Sequence, residues 1–354
     1  MMKLEKIRNL FGQLGIDGML ITSSTNVRYM TGFTGSAGLA VISGDRAAFI
    51  TDFRYTEQAK VQVKGFEIIE HGGSLIQTTA DTVEAFGIKR LGFEQNSMTY
   101  GTYASYSAVI SEAELVPVAE SVEKLRLIKS SEEIKILEEA AKIADNAFRH
   151  ILTFMKPGIS EIAVANELEF YMRSQGADSS SFDMIVASGL RSSLPHGVAS
   201  DKLIESGDLV TLDFGAYYKG YCSDITRTVA VGQPSDQLKE IYQVVFDAQA
   251  LGVAHIKPGM TGKEADALTR DHIAAKGYGE YFGHSTGHGL GMKVHESPGL
   301  SVRSSAILEP GMVVTVEPGI YIPETGGVRI EDDIVITENG NRTITHSPKE
   351  LIIL

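Results

Sequence analysis

The sequence contains no tryptophan and a single cysteine, Cys222, among its 354 residues. One thiol cannot close an intrachain disulfide, so the disulfide-stapled class is excluded and a reducing, cytoplasmic setting is expected. Basic residues are also in short supply: 32 Lys and Arg stand against 45 Asp and Glu, a formal charge of -13. That excess repels phosphate backbones and no local basic patch offsets it, so nucleic acid is not an expected partner. No stretch reaches the roughly 20 consecutive apolar residues that a membrane span needs. The opening segment instead sets Leu4, Ile7, Leu10, Phe11 and Leu14 at helical spacing between charges, which is neither a span nor an export signal. What is present is an ordinary globular composition, 43% hydrophobic and 22% charged. At roughly 100–200 residues per domain, the length predicts two domains.

After the first helix, GMLIT (18–22) reads as a strand, followed by a polar turn SSTN and the segment VRYMTGFTGSAG. LAVIS (39–43) and RAAFIT (46–51) form a hairpin around Gly44-Asp45; KRLGFE is a further strand, and a Tyr- and Ser-rich helix follows near 99–111. This alternation predicts an α/β domain over residues 1–124. A capping box at Ser130 and Glu133 then opens a long helix with Ile134, Leu137, Ala141 and Phe148 on one face, so the second domain is expected to span 125–354.

The second region contains a duplication. KPGIS at 156–160 recurs as KPGMT at 257–261, and each is followed by a helical run ending at a glycine, Gly176 and Gly277. GDLVTLDFG (207–215) likewise returns as GMVVTVEPG (311–319), with Asp213 in one copy where Glu317 stands in the other. Each acidic strand leads into a second one. A turn at Tyr218-Lys219 would set Asp213 opposite Asp224, and a turn one residue later would make them diagonal neighbours on one face. In the second copy, a three-residue loop or a bulge at Gly326-Gly327 would bring Glu317 to Glu331. Two like charges about 5 Å apart repel by roughly 3 kcal/mol at an effective dielectric near 20, and apolar surroundings add a desolvation cost. A bound cation, a shared proton or an arginine must offset this, and the doubling of the arrangement favours a pair of divalent metals.

Four of the nine histidines lie in glycine-rich or proline-bounded segments: His196 in LPHG, and His284, His288 and His295 in FGHSTGHGLGMKVHESPG. Glycines there remove bulk where the backbone must approach a site, and an imidazole would complete a mostly oxygen ligand set. GHGLG fits neither nucleotide-binding fingerprint, and HESPG is not the HExxH of zinc proteases.

Asp213, Asp224, His288, Glu317 and Glu331, in that order and with the flanking VEPG and RIEDD, resemble the dinuclear metal site of the pita-bread metallopeptidases. The short interval from Glu317 to Glu331 and the separate N-terminal region are more similar to the Xaa-Pro peptidases, prolidase and aminopeptidase P, than to methionine aminopeptidase. The resemblance implies an α+β catalytic domain built as a pseudo-two-fold duplication around a curved antiparallel sheet, with a smaller creatinase-like α/β domain before it. It implies that Asp213 and Glu331 bridge or chelate the metals, that Asp224 binds one in bidentate fashion, and that His288 with Glu317 holds the other. Manganese is the expected metal, with cobalt or zinc as alternatives. A water between two cations loses a proton near neutral pH, with Glu317 to accept or shuttle it.

By the same resemblance His196 and His295 line the substrate site and stabilise the oxyanion, His284 assists, and Arg329 and Tyr321 stand behind the ligands. Arg329 has an independent reason to be there, since it can offset surplus negative charge. The expected substrates are short peptides with proline in second position, and the expected assembly is a homodimer in which Arg28, Tyr29, Asp52, Arg54 and Tyr55 serve an interface or a neighbouring site, with turn and surface roles for them equally open. Thr226 and Thr315 are placed to orient carboxylates, though β-propensity explains them equally well, while Cys222 is expected to be packing. Two other functions compete: a metal-free creatinase-like hydrolase, and an inactive pita-bread module that binds peptides or proteins. Either should have lost several ligands, and all five are present.

Overall fold

Alternating apolar runs and amphipathic helices dictate two different layer architectures along the chain. The computed structural model describes residues 3–354. It divides into two compact units, Met1–Arg126 and Leu127–Leu354.

The first unit runs α1 (Lys3–Leu14), β1 (Gly18–Ile21), α2 (Ser24–Thr31), β2 (Leu39–Ser43), β3 (Ala47–Thr51), α3 (Thr56–Gln62), β4 (Glu67–Glu70), α4 (Leu75–Ala85), β5 (Arg90–Glu94), α5 (Tyr100–Val109) and β6 (Glu114–Val118), with α6 (Ser121–Leu127) at its end. Its sheet has the order β4-β3-β2-β1-β5-β6, mixed because β1–β2 and β2–β3 are antiparallel and the other pairs parallel. Every residue of β1, β2 and β3 is buried, which explains their near-continuous apolar sequence: these central strands are covered on both faces. The SSTN segment corrects the sequence reading. It is not a turn but the start of α2, which ends at Gly32 in a left-handed conformation (φ 78) whose N–H bonds Arg28 O. A hydrophobic pattern cannot reveal this helix, because its buried face includes Asn26. That amide donates to Glu94 and Glu123 and accepts from the Arg126 guanidinium, each at 2.6 Å.

The second unit opens with α7 (Ser131–Phe154), whose capping box forms as expected between Ser130 and Glu133. Then come α8 (Glu161–Ser174), β7 (Ser179–Ser180), β8 (Ile185–Ser188), β9 (Asp208–Phe214), β10 (Ala216–Tyr218), β11 (Tyr221–Cys222), β12 (Ile225–Val231) and α9 (Asp236–His255). The second copy supplies α10 (Gly262–Ala275), β13 (Gly287–Gly289), β14 (Glu296–Leu300), β15 (Val313–Val316), β16 (Gly319–Ile322), β17 (Gly326–Arg329), β18 (Asp332–Thr337) and β19 (Gly340–Thr343). Sheets β12-β9-β8 and β14-β13-β15-β18-β19 are antiparallel throughout.

The duplication extends to the backbone. Gly158 and Gly259 share positive φ values of 88 and 86, as do Gly176 and Gly277 at 103 and 87. Ser160 and Thr261 each cap the helix that follows with their side-chain oxygen. The N–H of Gly158 bonds Ile204 O and that of Gly259 bonds Leu308 O, tying each glycine to the segment before its acidic strand. Apolar residues of α7, α8, β9 and β12 form one core cluster, and α9 packs on β16 and β17 in another. The acidic strands are therefore held on rigid, buried elements. No helix among the described residues is long and apolar enough to cross a membrane.

Candidate metal centre

Hairpin register decides where the acids meet. Tyr218 pairs with Tyr221, so the turn falls at Lys219-Gly220, both with positive φ. Asp213 consequently faces Thr226, and Asp224 is its diagonal neighbour, the second of the two registers open to the sequence. In the other copy Ile322 pairs with Gly326 across a three-residue loop, Gly319 pairs with Arg329, and Val316 pairs with Asp332. Both ladders count through to Glu317 opposite Glu331.

Close approach of the backbone makes room for the histidine. A Cβ on Gly287 would lie 2.0 Å from Thr315 O, and one on Gly289 would lie 2.2 Å from Ser297 O. Only glycine lets β13 press between β14 and β15 with His288 between them. The imidazole Nε2 of His288 lies 3.2 Å from Glu317 Oε1 and 3.7 Å from Asp224 Oδ2. Asp224, His288 and Glu331 offer ligand atoms all within 4.8 Å of one another. A cavity of about 550 Å³ is lined by all five residues of the set together with His196, His284, His295 and Arg329. Phe182, Ile185, Val198 and Val294 give it an apolar wall, which sequence reasoning missed because no local pattern links segments a hundred residues apart. Cys222 is not in the lining; its buried thiol sits 3.9 Å from Met292 O.

The electrostatics show an unfinished charge balance. Burial, reinforced for Asp224 by Glu331 and for Glu331 by Glu317, raises the carboxyls of Asp224 and Glu331 well above the usual range. Asp213 is raised by burial too, less so because Arg329 donates to its Oδ2. Glu317 differs: burial pushes it up, but hydrogen bonding and charge from His288 outweigh that and hold it down to about 2. His288 is raised in turn, since the Glu317 contacts outweigh burial. His284 and His295 are lowered by burial, His295 further by His288.

Hydrogen bonds from behind fix these carboxylates. Thr226 Oγ1 donates to Glu331 Oε2 at 2.7 Å and accepts from Arg329 Nε, and Thr315 Oγ1 donates to Glu317 Oε1 at 3.1 Å. The Arg329 guanidinium also donates to the Tyr321 hydroxyl, which meets His284 Nε2 at 2.8 Å. Tyr321, driven up to about 12 by burial, stays a phenol. One acid was overlooked. Asp333, in the same IEDD run as Glu331, is fully buried and accepts the Asp224 N–H, whereas its neighbour Asp332 pairs with Arg227 and Lys349.

These residues fit divalent cations. Asp213 Oδ1, Asp224 Oδ1 and Glu331 Oε1 are buried without a hydrogen-bond partner among the described residues, a costly state for carboxylates. All three belong to one cavity wall, and the carboxylate and imidazole donors suit hard to borderline metals. An antiparallel, duplicated α+β unit with such a cleft defines a metal-dependent hydrolase.

The chain belongs to metallopeptidase family M24, whose family model matches residues 135–338. The creatinase/prolidase N-terminal domain model matches residues 3–128. Over 353 residues the chain is 98% identical to an uncharacterized peptidase of Bacillus subtilis (strain 168), covering 100% of each chain. Among solved structures it is similar to an Xaa-Pro dipeptidase from Bacillus anthracis, at 65% identity and a TM-score of 0.98, with 99% of each chain covered. It is also similar to an X-Pro aminopeptidase from Thermotoga maritima, at 39% identity and a TM-score of 0.93, covering 98% of this chain and 100% of that one. The fold expected from the sequence, a pita-bread unit preceded by a creatinase-like one, is thereby shown.

Proposed function

We propose that this chain is a metallo-exopeptidase that hydrolyses the bond between an N-terminal residue and a following proline, using two divalent ions held by Asp213, Asp224, His288, Glu317 and Glu331. The observation that carries this is the group of orphaned carboxylate oxygens in the wall of one cavity. Its relatives named Xaa-Pro dipeptidase and X-Pro aminopeptidase support the substrate class. Manganese is the proposed metal, ahead of cobalt or zinc; a cytoplasmic homodimer and a catalytic domain beginning near residue 125 complete the reading.

Divalent cations, when bound, supply Lewis acidity and lower the pKa of a coordinated water. The protein's own groups do the rest. Glu317, already ionised before any cation binds, is the proton acceptor. His295 and His196 reach the cavity from separate segments and donate N–H to the developing oxyanion. Neutral His295 at physiological pH suits that task, because a ring that holds one proton donates without adding repulsion to nearby cations. Arg329, braced by Tyr321 and Thr226, fixes Asp213. The apolar wall excludes water and receives the first residue and the proline ring.

The test is release of the first residue from Xaa-Pro and Xaa-Pro-Yaa peptides after chelation and manganese addition. Manganese-dependent cleavage of either is expected; an inert protein at full metal loading would refute the function. Asp224→Asn and His288→Ala should each abolish hydrolysis and lower bound metal together. Full activity in either variant would remove that residue from the ligand set.

A further inference from the structure

His196 stands exposed at the cavity rim, and its imidazole makes no hydrogen bond among the described residues. Its position is set entirely by the backbone that carries it. That backbone leaves β8 at Ser188, makes a 3-10 turn over Gly189–Ser193, passes through Pro195-His196 and returns at Ser200. Both ends of this loop are held by one carboxylate. Glu161, the first residue of α8 and wholly buried, accepts from the backbone N–H and the hydroxyl of Ser188, both at 2.8 Å. It also accepts from the N–H and hydroxyl of Ser200 at 3.1 and 2.6 Å. Arg191, midway round the loop, donates its Nε to Glu161 Oε2 at 3.0 Å and its terminal nitrogen to Val198 O at 2.7 Å. Val198 in turn bonds its N–H to His196 O. The far side of the loop meets the metal-centre strands, where Arg329 donates to Pro195 O and the Gly327 N–H donates to Ser192 Oγ.

The second copy of the duplication fastens its loop in a comparable way, from a carboxylate one turn further along the helix. On α10 the buried carboxylate of Asp266 accepts from the N–H and hydroxyl of Thr286 and from Arg270. Arg270 reaches on to His284 O at 2.6 Å. In each half a helix carboxylate, an arginine and hydroxyl residues fasten the loop that brings one histidine to the cavity. A carboxylate needed only to cap a helix has no need of five donors drawn from residues 188, 191 and 200.

We infer that Glu161, acting through Arg191 and Ser200, is the positioning residue for His196 in the reaction. This rests on the proposed peptidase function, because it assumes that His196 acts on the peptide. Misplacing a donor by about 1 Å costs up to about a hundredfold in rate. Manganese-loaded Glu161→Gln, which keeps the shape but replaces one acceptor with a donor, should therefore lose about ten- to a hundredfold in kcat on a Xaa-Pro peptide. KM should change little and the manganese content should match wild type. Arg191→Gln, which leaves the serine contacts in place, should show the same pattern more weakly and covers the case in which Glu161→Gln does not fold.

Loss of fold alone would depress every background equally, so the deciding measurement is a double-mutant cycle. In a His196→Ala background, Glu161→Gln or Arg191→Gln should cost nothing further. Undiminished kcat in both single variants, or losses that multiply with that of His196→Ala, would overturn the inference while leaving the peptidase reading intact. A wild-type protein inert at full manganese loading would overturn both.

Discussion

Thr226 is the most economical place to test whether the carboxylates are metal ligands. Its hydroxyl gives the Glu331 carboxylate its sole hydrogen bond among the described residues, and it is the acceptor for Arg329 Nε. Thr226→Val keeps the β-branched shape of a residue that is completely buried but removes both contacts. A hydrogen bond to an ionised carboxylate contributes about 1.5–3 kcal/mol, and one to a neutral partner about 0.5–1.5. Without a cation Glu331 is driven toward its protonated form, because burial and neighbouring acids raise its pKa well above normal. Metal binding requires the ionised form. The bond therefore strengthens by about 1–1.5 kcal/mol when the metal binds, and its loss should weaken manganese binding about tenfold. The stranded Arg329 donor should independently lower the stability of the metal-free protein by about 1–3 kcal/mol. Competition against a fluorescent chelator measures the first effect and urea unfolding the second, with Thr226→Ser as the control that retains both contacts. Unchanged manganese affinity in Thr226→Val would refute the assignment of Glu331 as a ligand held by this hydroxyl.

Protons should leave when metal arrives, because Asp224, Glu331 and His288 all have folded-state pKa values raised above their ordinary ones. Metal must displace those protons, so affinity should tighten as pH rises from the usual carboxylate range upward. Titration calorimetry in buffers of different ionisation enthalpy counts the protons; no buffer dependence near neutrality would contradict these shifts. Arg227 and Asp332 form an ion pair in which each side chain is 1% exposed, and Arg227 also donates to Ser347 O and Pro348 O. Arg227→Ala leaves the acid buried with only Lys349 as counter-charge and should destabilise the fold by about 3–5 kcal/mol in urea. A loss below about 1 kcal/mol would mean the pair is dispensable.

Much of the centre could be read along the chain because both halves repeat local chemistry. The capping box at Ser130, the KPG turns and the acidic strands each use residues whose backbone role is fixed within a few positions. What remained hidden depends on partners far away in sequence. Two registers were open for Asp213 and Asp224, and the positive φ of Lys219 and Gly220 selects the diagonal one. Asp332 and Asp333 are indistinguishable in RIEDD, yet the alternation of a strand turns the first toward Arg227 and the second toward the Asp224 N–H. The helix α2 was invisible because Asn26, a residue that pattern rules place outside, is buried among polar groups from residues 94, 123 and 126. Glu161 was likewise unremarkable in EIAVANELE, since its partners stand 27 to 39 positions away.

The repeat also explains why the two halves contribute unequally. Asp224 stands two residues nearer the turn than Thr226, the residue opposite Asp213, and so is diagonal to that acid, whereas Glu331 stands directly opposite Glu317. The longer second hairpin carries Arg329 on β17, where it reaches Asp213 in the other half. One acid of the first hairpin is thus already neutralised by protein, while Asp224 shares its surroundings with Glu331 and Asp333 and, among the described residues, has no cationic side chain in contact other than His288 when protonated. Duplication supplies the approximate symmetry that gathers four carboxylates, and the different placement of the second acid along its returning strand breaks it. The uncompensated charge is left where Asp224, His288 and Glu331 converge, which is the place in this unit where an external cation gains most.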